Sequence, residues 1–70
     1  MAEIRAEMVA NVWKVVAAEG QQVHDGDTLV ILESMKMEIP VLAETGGTIA
    51  KLHVAEGDVV QEDDLIAVID

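Results

Sequence analysis

The chain has 70 residues, no cysteine and a formal net charge of −10, so we expect one small domain over residues 1–70 without a disulfide or a cysteine metal site. Its four basic residues, Arg5, Lys14, Lys36 and Lys51, are scattered, which excludes a phosphate-binding patch and hence nucleic acid as a partner. No apolar run is long enough to span a membrane and no signal peptide precedes the fold, so we expect a cytoplasmic protein without a membrane partner. We expect the excess of carboxylates to keep it soluble and monomeric.

The residue pattern predicts short β-strands and no helix, because no window of adequate length keeps a 3.6-residue period free of glycine. Two near-continuous apolar runs read as buried strands, and two β-branched runs lose strict alternation at Lys14 and Lys51, which predicts a bend or bulge in each. In chain order the predicted strands are Ile4–Val9, Val12–Ala17, a piece around Val23, Thr28–Glu33, Met37–Ala43, Ile49–Val54, a piece at Val59–Val60, and Leu65–Asp70.

Glycines mark the turns between these strands. Gly20 and Gly57 each follow an Ala-Glu pair, and we expect a positive φ at both. Gly46-Gly47 marks the turn before the sixth strand, whereas the corresponding turn in the first half has Asn11 beside it. Either Asn11 adopts a left-handed conformation and makes the same bend, or the two turns differ in type.

An internal repeat relates the two halves at an offset of 37 residues, since Ile4–Glu33 aligns without gaps on Val41–Asp70. Neither half can bury its own apolar face, so the repeat predicts an all-β fold: a flattened β-barrel or sandwich of two four-stranded antiparallel sheets with pseudo-two-fold symmetry, a barrel-sandwich hybrid. The identical pairs are Ala6/Ala43, Glu7/Glu44, Lys14/Lys51, Ala18/Ala55, Glu19/Glu56, Gly20/Gly57, Val23/Val60 and Asp27/Asp64.

The connector between the halves, Ser34–Pro40, holds a lysine at its centre. Lys36 lies between Met35 and Met37, where a plain turn would use Gly, Asn or Asp. A lysine in this setting is usually a soluble turn residue, but apolar neighbours on both sides and the absence of a turn glycine favour covalent modification or docking.

Candidate catalytic groups are sparse. Ser34 is the only serine, and His24 and His53 lie in different contexts, so we interpret both histidines as surface residues. The acidic turns lack the spacing of a calcium-binding loop, and we interpret their carboxylates as solvated turn residues. We therefore expect no catalytic residues, no metal site and no enzymatic activity in the domain itself.

Glu33-Ser34-Met35-Lys36-Met37-Glu38 resembles the biotin-attachment motif of the biotinyl/lipoyl attachment domain family, usually Glu-Ala-Met-Lys-Met. The resemblance covers nearly the whole chain and is closest to single-domain biotin carboxyl carrier proteins of the biotin/lipoyl attachment type. The gapless repeat leaves no place for an inserted thumb segment. Ser34 stands for the usual alanine, Ala10-Asn11 lacks a glycine, and Asp63 occupies the place matching Gly26.

The resemblance implies that a biotin protein ligase attaches biotin to Lys36, with Glu33, Ser34, Met35, Met37 and Glu38 taking part in recognition. It also implies that the domain carries carboxybiotin between the biotin carboxylase and carboxyltransferase subunits of a biotin-dependent carboxylase. The ligase has to supply the base for amide formation, while the carrier supplies an exposed amine in a fixed position. Whether Met35 and Met37 contact partners or cap the core stays open at this point.

Two other functions are compatible with a domain of this kind. A lipoyl carrier of a 2-oxo acid dehydrogenase complex would use the same kind of domain, although lipoyl lysines in the family usually have an acidic residue before and alanine after them. A non-carrier interaction module of the same fold would leave Lys36 unmodified.

Overall fold

The computed structural model describes residues 1–70 and consists of strands, turns and connecting segments. It has no helix of the length and apolarity that crossing a membrane requires. The strands are β1 (Ala2–Arg5), β2 (Ala10–Val15), β3 (Gln22–Val23), β4 (Thr28–Ser34), β5 (Met37–Leu42), β6 (Gly47–Leu52), β7 (Val59–Val60) and β8 (Leu65–Ile69).

Two four-stranded antiparallel sheets form the molecule. Sheet I has the order β1-β8-β6-β3 and sheet II the order β5-β4-β2-β7. Each sheet therefore takes two strands from each half of the chain, and the repeat exchanges the sheets: β1 corresponds to β5, β8 to β4, β6 to β2 and β3 to β7. The predicted fold class is confirmed, and the apolar faces of the two halves are buried against each other.

The pairing register repeats along with the strands. Ala2 pairs with Ile69 in sheet I, and their repeat equivalents Ile39 and Leu32 pair in sheet II. The register shifts between Val12 and Lys14 against β4 and, 37 residues later, between Ile49 and Lys51 against β8. The predicted bulges are thus confirmed at equivalent positions, and the pseudo-two-fold symmetry extends to individual pairs.

Three predicted strands have bounds that differ by two or more residues in the structure, and three others end one residue earlier or later than predicted. The first begins at Ala2 and ends at Arg5, because the Ala6 N–H and carbonyl bond to the turn at residues 63–64 and take no part in a longer ladder. The second and sixth begin and end two residues earlier than predicted. In the second, the N–H groups of Val16 and Ala17 both donate to the Leu29 carbonyl, which turns the chain away from the sheet.

The core is aliphatic and lies between the sheets. Buried and exposed residues alternate at the start of β2, whereas four consecutive residues of β8 are buried, and every fully buried side chain is apolar. Trp13, the only aromatic residue, is outside the core. The cluster consists of Ile4, Ala6, Ala10, Val12, Ala17, Val23, Leu29, Val30, Leu32, Ala43, Ile49, Val60, Ile66, Ala67 and Ile69.

The turns follow the repeat with two exceptions. Gly20 and Gly57 have φ values of 87° and 93°, as predicted. At the place matching Gly26, Asp63 adopts the same left-handed region with φ 73°, a conformation that aspartate tolerates better than most residues. Asn11 has no positive φ and lies within β2, so the two turns that precede β2 and β6 differ in type.

The acidic residues of the turns bond to the backbone. Asp27 Oδ2 accepts the His24 N–H at 2.8 Å, and at the equivalent place Asp64 Oδ2 accepts the Gln61 N–H at 2.8 Å. Asp58 Oδ2 accepts the Ala55 N–H at 2.9 Å. The interpretation of these carboxylates as turn residues is confirmed, and each closes its turn by a side-chain bond to the backbone.

Candidate functional site

The β4–β5 hairpin carries the predicted motif at its tip. Ser34 pairs with Met37, so Met35 and Lys36 alone form the turn, with φ values of 54° and 65°. A two-residue hairpin loop with positive φ at both central positions is the type I′ turn, whose twist matches that of the flanking strands. The hairpin therefore ends in a tight, well-defined turn that contains no glycine.

This turn is built from residues that disfavour its conformation. Type I′ turns usually have Asn-Gly or Asp-Gly at the centre, because an L-residue in the left-handed region costs about 1–2 kcal/mol. Neither Met35 nor Lys36 has the short polar side chain that offsets this cost. Backbone strain of this kind is tolerated where the surrounding structure holds it in place, and it is common at functional sites.

The Lys36 side chain is exposed and has no partner. Arg5 forms an ion pair with Glu3, His24 Nδ1 lies 3.8 Å from Asp27 Oδ2, and no carboxylate or carbonyl accepts a bond from the Lys36 amine. The single groove of the molecule, about 400 Å³ between β1 and β5, is lined by none of residues 33–38. The amine is thus presented on a projecting turn, outside any cavity.

The other two lysines are placed differently. Lys14 and Lys51 lie within β2 and β6, at the two equivalent bulges, where neighbouring strands flank the backbone. The Lys14 Nζ lies 5.4 Å from the centroid of the Trp13 ring, within cation–π range. Lys36 is therefore the one lysine at the tip of a hairpin.

The methionines beside Lys36 belong to the surface. Met35 is 91% exposed and Met37 is 64% exposed, and neither is among the side chains packed against the core. The alternative that they cap the core is excluded. Two flexible thioether side chains in this position offer a partner an adaptable apolar contact.

The remaining predicted residues lie directly below the turn. Glu33 and Glu38 are opposite each other across the hairpin, and Ser34 occupies the last position of β4. Glu33 and Ser34 are half-buried, while Glu38 is exposed. All six predicted residues therefore come together in one hairpin, whereas His24 and His53 lie elsewhere on the surface.

The structure adds one neighbour that was not foreseen as part of this site. Asn11 pairs with Glu33 on the far side of β4 and with Val59 of β7. In the sequence Asn11 was considered only for the turn before the second strand, where a left-handed conformation was one of two alternatives. Only the pairing of β2 with β4, which joins residues far apart in the chain, brings it to the hairpin.

Comparison with known proteins gives the family. Residues 2–69 match the family model described as "Biotin-requiring enzyme". The chain belongs to this biotin/lipoyl attachment family. The family resemblance predicted from residues 33–38 and the repeat is thereby confirmed.

Three individual proteins illustrate the range of similarity. The Biotinylated protein TB7.3 homolog of Mycobacterium leprae is 61% identical over 67 residues, which are 96% of this chain and 94% of that protein. The structure of Kluyveromyces lactis urea carboxylase matches with a TM-score of 0.92 and 39% identity over 99% of this chain and 6% of that one. The lipoyl domain of the Azotobacter vinelandii 2-oxoglutarate dehydrogenase complex matches with a TM-score of 0.84 and 26% identity over 100% of this chain and 96% of that one.

Proposed function

We propose that the Nζ of Lys36 accepts biotin in an amide bond and that the protein is a biotin carboxyl carrier. The observation that carries this proposal is the exposed, unpartnered Lys36 side chain on a two-residue turn with positive φ at both residues. Bound biotin supplies a ureido group that takes up a carboxyl group at one enzyme site and releases it at another. The family and the biotinylated relative support the same cofactor.

The residues present fit an attached group. Amide formation requires a primary amine that a ligase can surround, and Lys36 meets this requirement because no side chain of the domain pairs with it. No base is hydrogen-bonded to Nζ, so the ligase has to accept the ammonium proton before the amine can attack. The acyl donor is biotinyl-adenylate, a mixed carboxylic–phosphoric anhydride, and AMP leaves as the amide bond to Nζ forms.

The hairpin has a mechanical role. Six registered pairs from Thr28↔Leu42 to Ser34↔Met37 join β4 to β5, and β4 is also held by β2. The turn is thus fixed on a sheet, while the four-carbon stem of Lys36 stays free to rotate. This arrangement tethers the cofactor and raises its effective concentration at the sites it visits.

The partners follow from this role. We propose a biotin protein ligase for attachment, and biotin carboxylase and carboxyltransferase subunits for use of the attached group. The chain corresponds to 6% of the urea carboxylase, which contains such a domain within a long enzyme chain. We also propose that the isolated protein is a monomer, because copies that each carry a net charge of −10 repel one another.

The test is attachment by a purified ligase, followed by intact-mass measurement. The wild type, Lys14→Arg and Lys51→Arg are expected to gain one biotin-sized increment, and Lys36→Arg none. Lys14 and Lys51 are matched controls because both are exposed and both keep the positive charge as arginine. A lipoyl-sized increment after incubation with a lipoyl ligase in place of the biotin increment, or biotin retained by Lys36→Arg, contradicts the proposal.

A further inference from the structure

Because of the internal repeat, each surface residue in one half of the chain can be compared with the residue at the equivalent position of the other half. Apart from Met1 and the two hairpin methionines, every exposed large apolar side chain has a small or polar residue at the equivalent position of the other half. The core positions, in contrast, are apolar in both halves. The pairs are Met8/Thr45, Val9/Gly46, Trp13/Ala50, Val16/His53, Leu42/Arg5 and Val59/Gln22.

Three of these apolar side chains lie on the outer face of sheet II. Ala10 and Val12 are buried in the core, whereas Val9, just before β2, and Trp13, at the bulge, are exposed. Val59 pairs with Asn11 of β2 and is exposed on the same outer side. We call this surface, formed by Val9, Asn11, Trp13, Lys14 and Val59, the β2 face.

Trp13 is the centre of the β2 face. It is the only aromatic ring of the chain, yet it lies outside the core and is 41% exposed. At the equivalent bulge of sheet I the residue is Ala50, so the fold itself does not need an indole there. Tryptophan is strongly enriched among the residues that dominate protein–protein binding energies.

The β2 face is continuous with the lysine hairpin. Register pairs join Glu38 to Glu33, Glu33 to Asn11 and Asn11 to Val59, so one row of residues crosses sheet II from β5 to β7. This row lies one pair below the turn, and Trp13 lies two residues further along β2. A partner that covers a standard interface of about 800 Å² around the turn also covers this row and Trp13.

We propose that the β2 face, centred on Trp13 and Val59, is the docking surface for the biotin protein ligase. The inference rests on the proposed function of Lys36. The surface of the ligase that covers it is apolar at the centre and basic at the rim, because Glu33, Glu38 and a net charge of −10 favour a positively charged partner. That same charge disfavours a second copy of this chain.

The ligase is the partner that most needs this contact. Before attachment, only the side chain of Lys36 separates the reacting nitrogen from the backbone, so the ligase has to approach the sheet surface itself. After attachment the arm is longer, and the carboxylase sites can be reached from further away. Contact between the sheet surface of the domain and its partner is therefore most important during attachment of biotin by the ligase.

The repeat also supplies the test variants. Trp13→Ala and Val59→Gln place on sheet II the residues that sheet I already has at the equivalent positions, so the combined variant is expected to fold. Gln22→Ala, on the outer face of sheet I, is the control. Thermal unfolding of all three proteins checks the fold before the assay.

The measurement is KM and kcat for transfer of biotin to the unmodified domain by purified biotin protein ligase. The combined variant is expected to raise the KM for the domain about tenfold with kcat unchanged, while Gln22→Ala behaves as the wild type. An unchanged KM, or a lower kcat at unchanged KM, overturns the inference. A wild-type dimer in sedimentation that the variant dissociates also overturns it, because a second copy then covers the face. If the wild type itself gains no biotin, the proposed function has failed, which is a separate outcome.

Discussion

Glu33 and Glu38 lie directly opposite each other across the β4–β5 hairpin, one pair below the Met35-Lys36 turn. Like charges in this position destabilise a strand pair, and neither carboxylate has an ion-pair partner that would offset the repulsion. The repulsion between these two carboxylates thus lies next to the Met35-Lys36 turn, whose backbone is already strained. Both features suit a surface that other proteins have to recognise.

Glu38→Gln is expected to stabilise the protein by about 0.2–0.5 kcal/mol, because it removes one of the two facing charges. The gain is expected to shrink as salt is raised, since added ions screen the repulsion in the wild type. Urea unfolding of both proteins at low and high ionic strength measures this difference in the free energy of unfolding. Glu62→Gln, at an exposed turn position, is the control, and an equal gain in the control contradicts a specific pair effect.

Met35→Asp is expected to weaken biotin transfer without lowering thermal stability. Met35 contributes nothing to the core, and aspartate adopts positive φ more readily than methionine. The substitution removes an apolar contact and adds a third negative charge next to Glu33 and Glu38. Met35→Asn is the matched control, which removes the contact without the charge. A sharp drop in the melting temperature of Met35→Asp means that the side chain supports the fold.

Gly46, which precedes β6, and Gly47, its first residue, are expected to differ in their tolerance of a side chain. A Cβ on Gly47 collides with the Asp70 carbonyl oxygen and comes within 2.8 Å of the Ile69 Cγ2, whereas the nearest atom to a Cβ on Gly46 is the Val23 carbonyl oxygen at 3.5 Å. Gly47→Ala should therefore cost about 1–3 kcal/mol of unfolding free energy and Gly46→Ala well under 1 kcal/mol. Equal costs in chemical denaturation contradict this difference.

Leu29 and Ile66 are repeat equivalents, and both are fully buried. Each bonds through its carbonyl to the residue that bends away after the bulged strand of its sheet: Leu29 to Val16 and Ile66 to His53. Leu29→Ala and Ile66→Ala are each expected to cost about 2–5 kcal/mol. Similar losses of unfolding free energy in the two variants support the structural equivalence of the two halves of the chain. A loss in one variant only shows that the halves differ in packing.

Much of the fold could be predicted because its signals are local or repeat along the chain. The loss of alternation at Lys14 and Lys51 indicated bulges, and the glycines after Ala-Glu indicated left-handed turns. The alignment of the two halves without gaps, at an offset of 37 residues, indicated that they have equivalent structures. Strand ends were less predictable, because the ladder at Ala6 is ended by bonds to residues almost a chain length away.

The strand order and the surroundings of the site required the structure. No local pattern shows which strands are neighbours in a sheet, so the pairing of β2 with β4 that brings Asn11 next to Glu33 could not be foreseen. The sequence left the place of Met35 and Met37 open, because methionine is common both in cores and at binding surfaces. The position of Trp13 outside the core likewise depends on the direction of its side chain at the bulge.

The symmetry also explains where the chain ends lie. Glu33 and Glu38, at the hairpin, are the repeat equivalents of Asp70 and Met1. The ends of the chain therefore occupy in sheet I the position that the lysine hairpin occupies in sheet II. The pseudo-two-fold operation that exchanges the two sheets relates these two places.

The central claim is that Lys36 alone, among three exposed lysines, receives the cofactor. The most direct test is tandem mass spectrometry of wild-type protein after incubation with ATP, biotin and a biotin protein ligase, with fragmentation of the peptide that contains Glu33–Glu38. We predict a single biotinyl group on Lys36 and unmodified Lys14 and Lys51. Biotin on Lys14 or Lys51, or an unmodified Lys36 in protein that a competent ligase has treated, contradicts it.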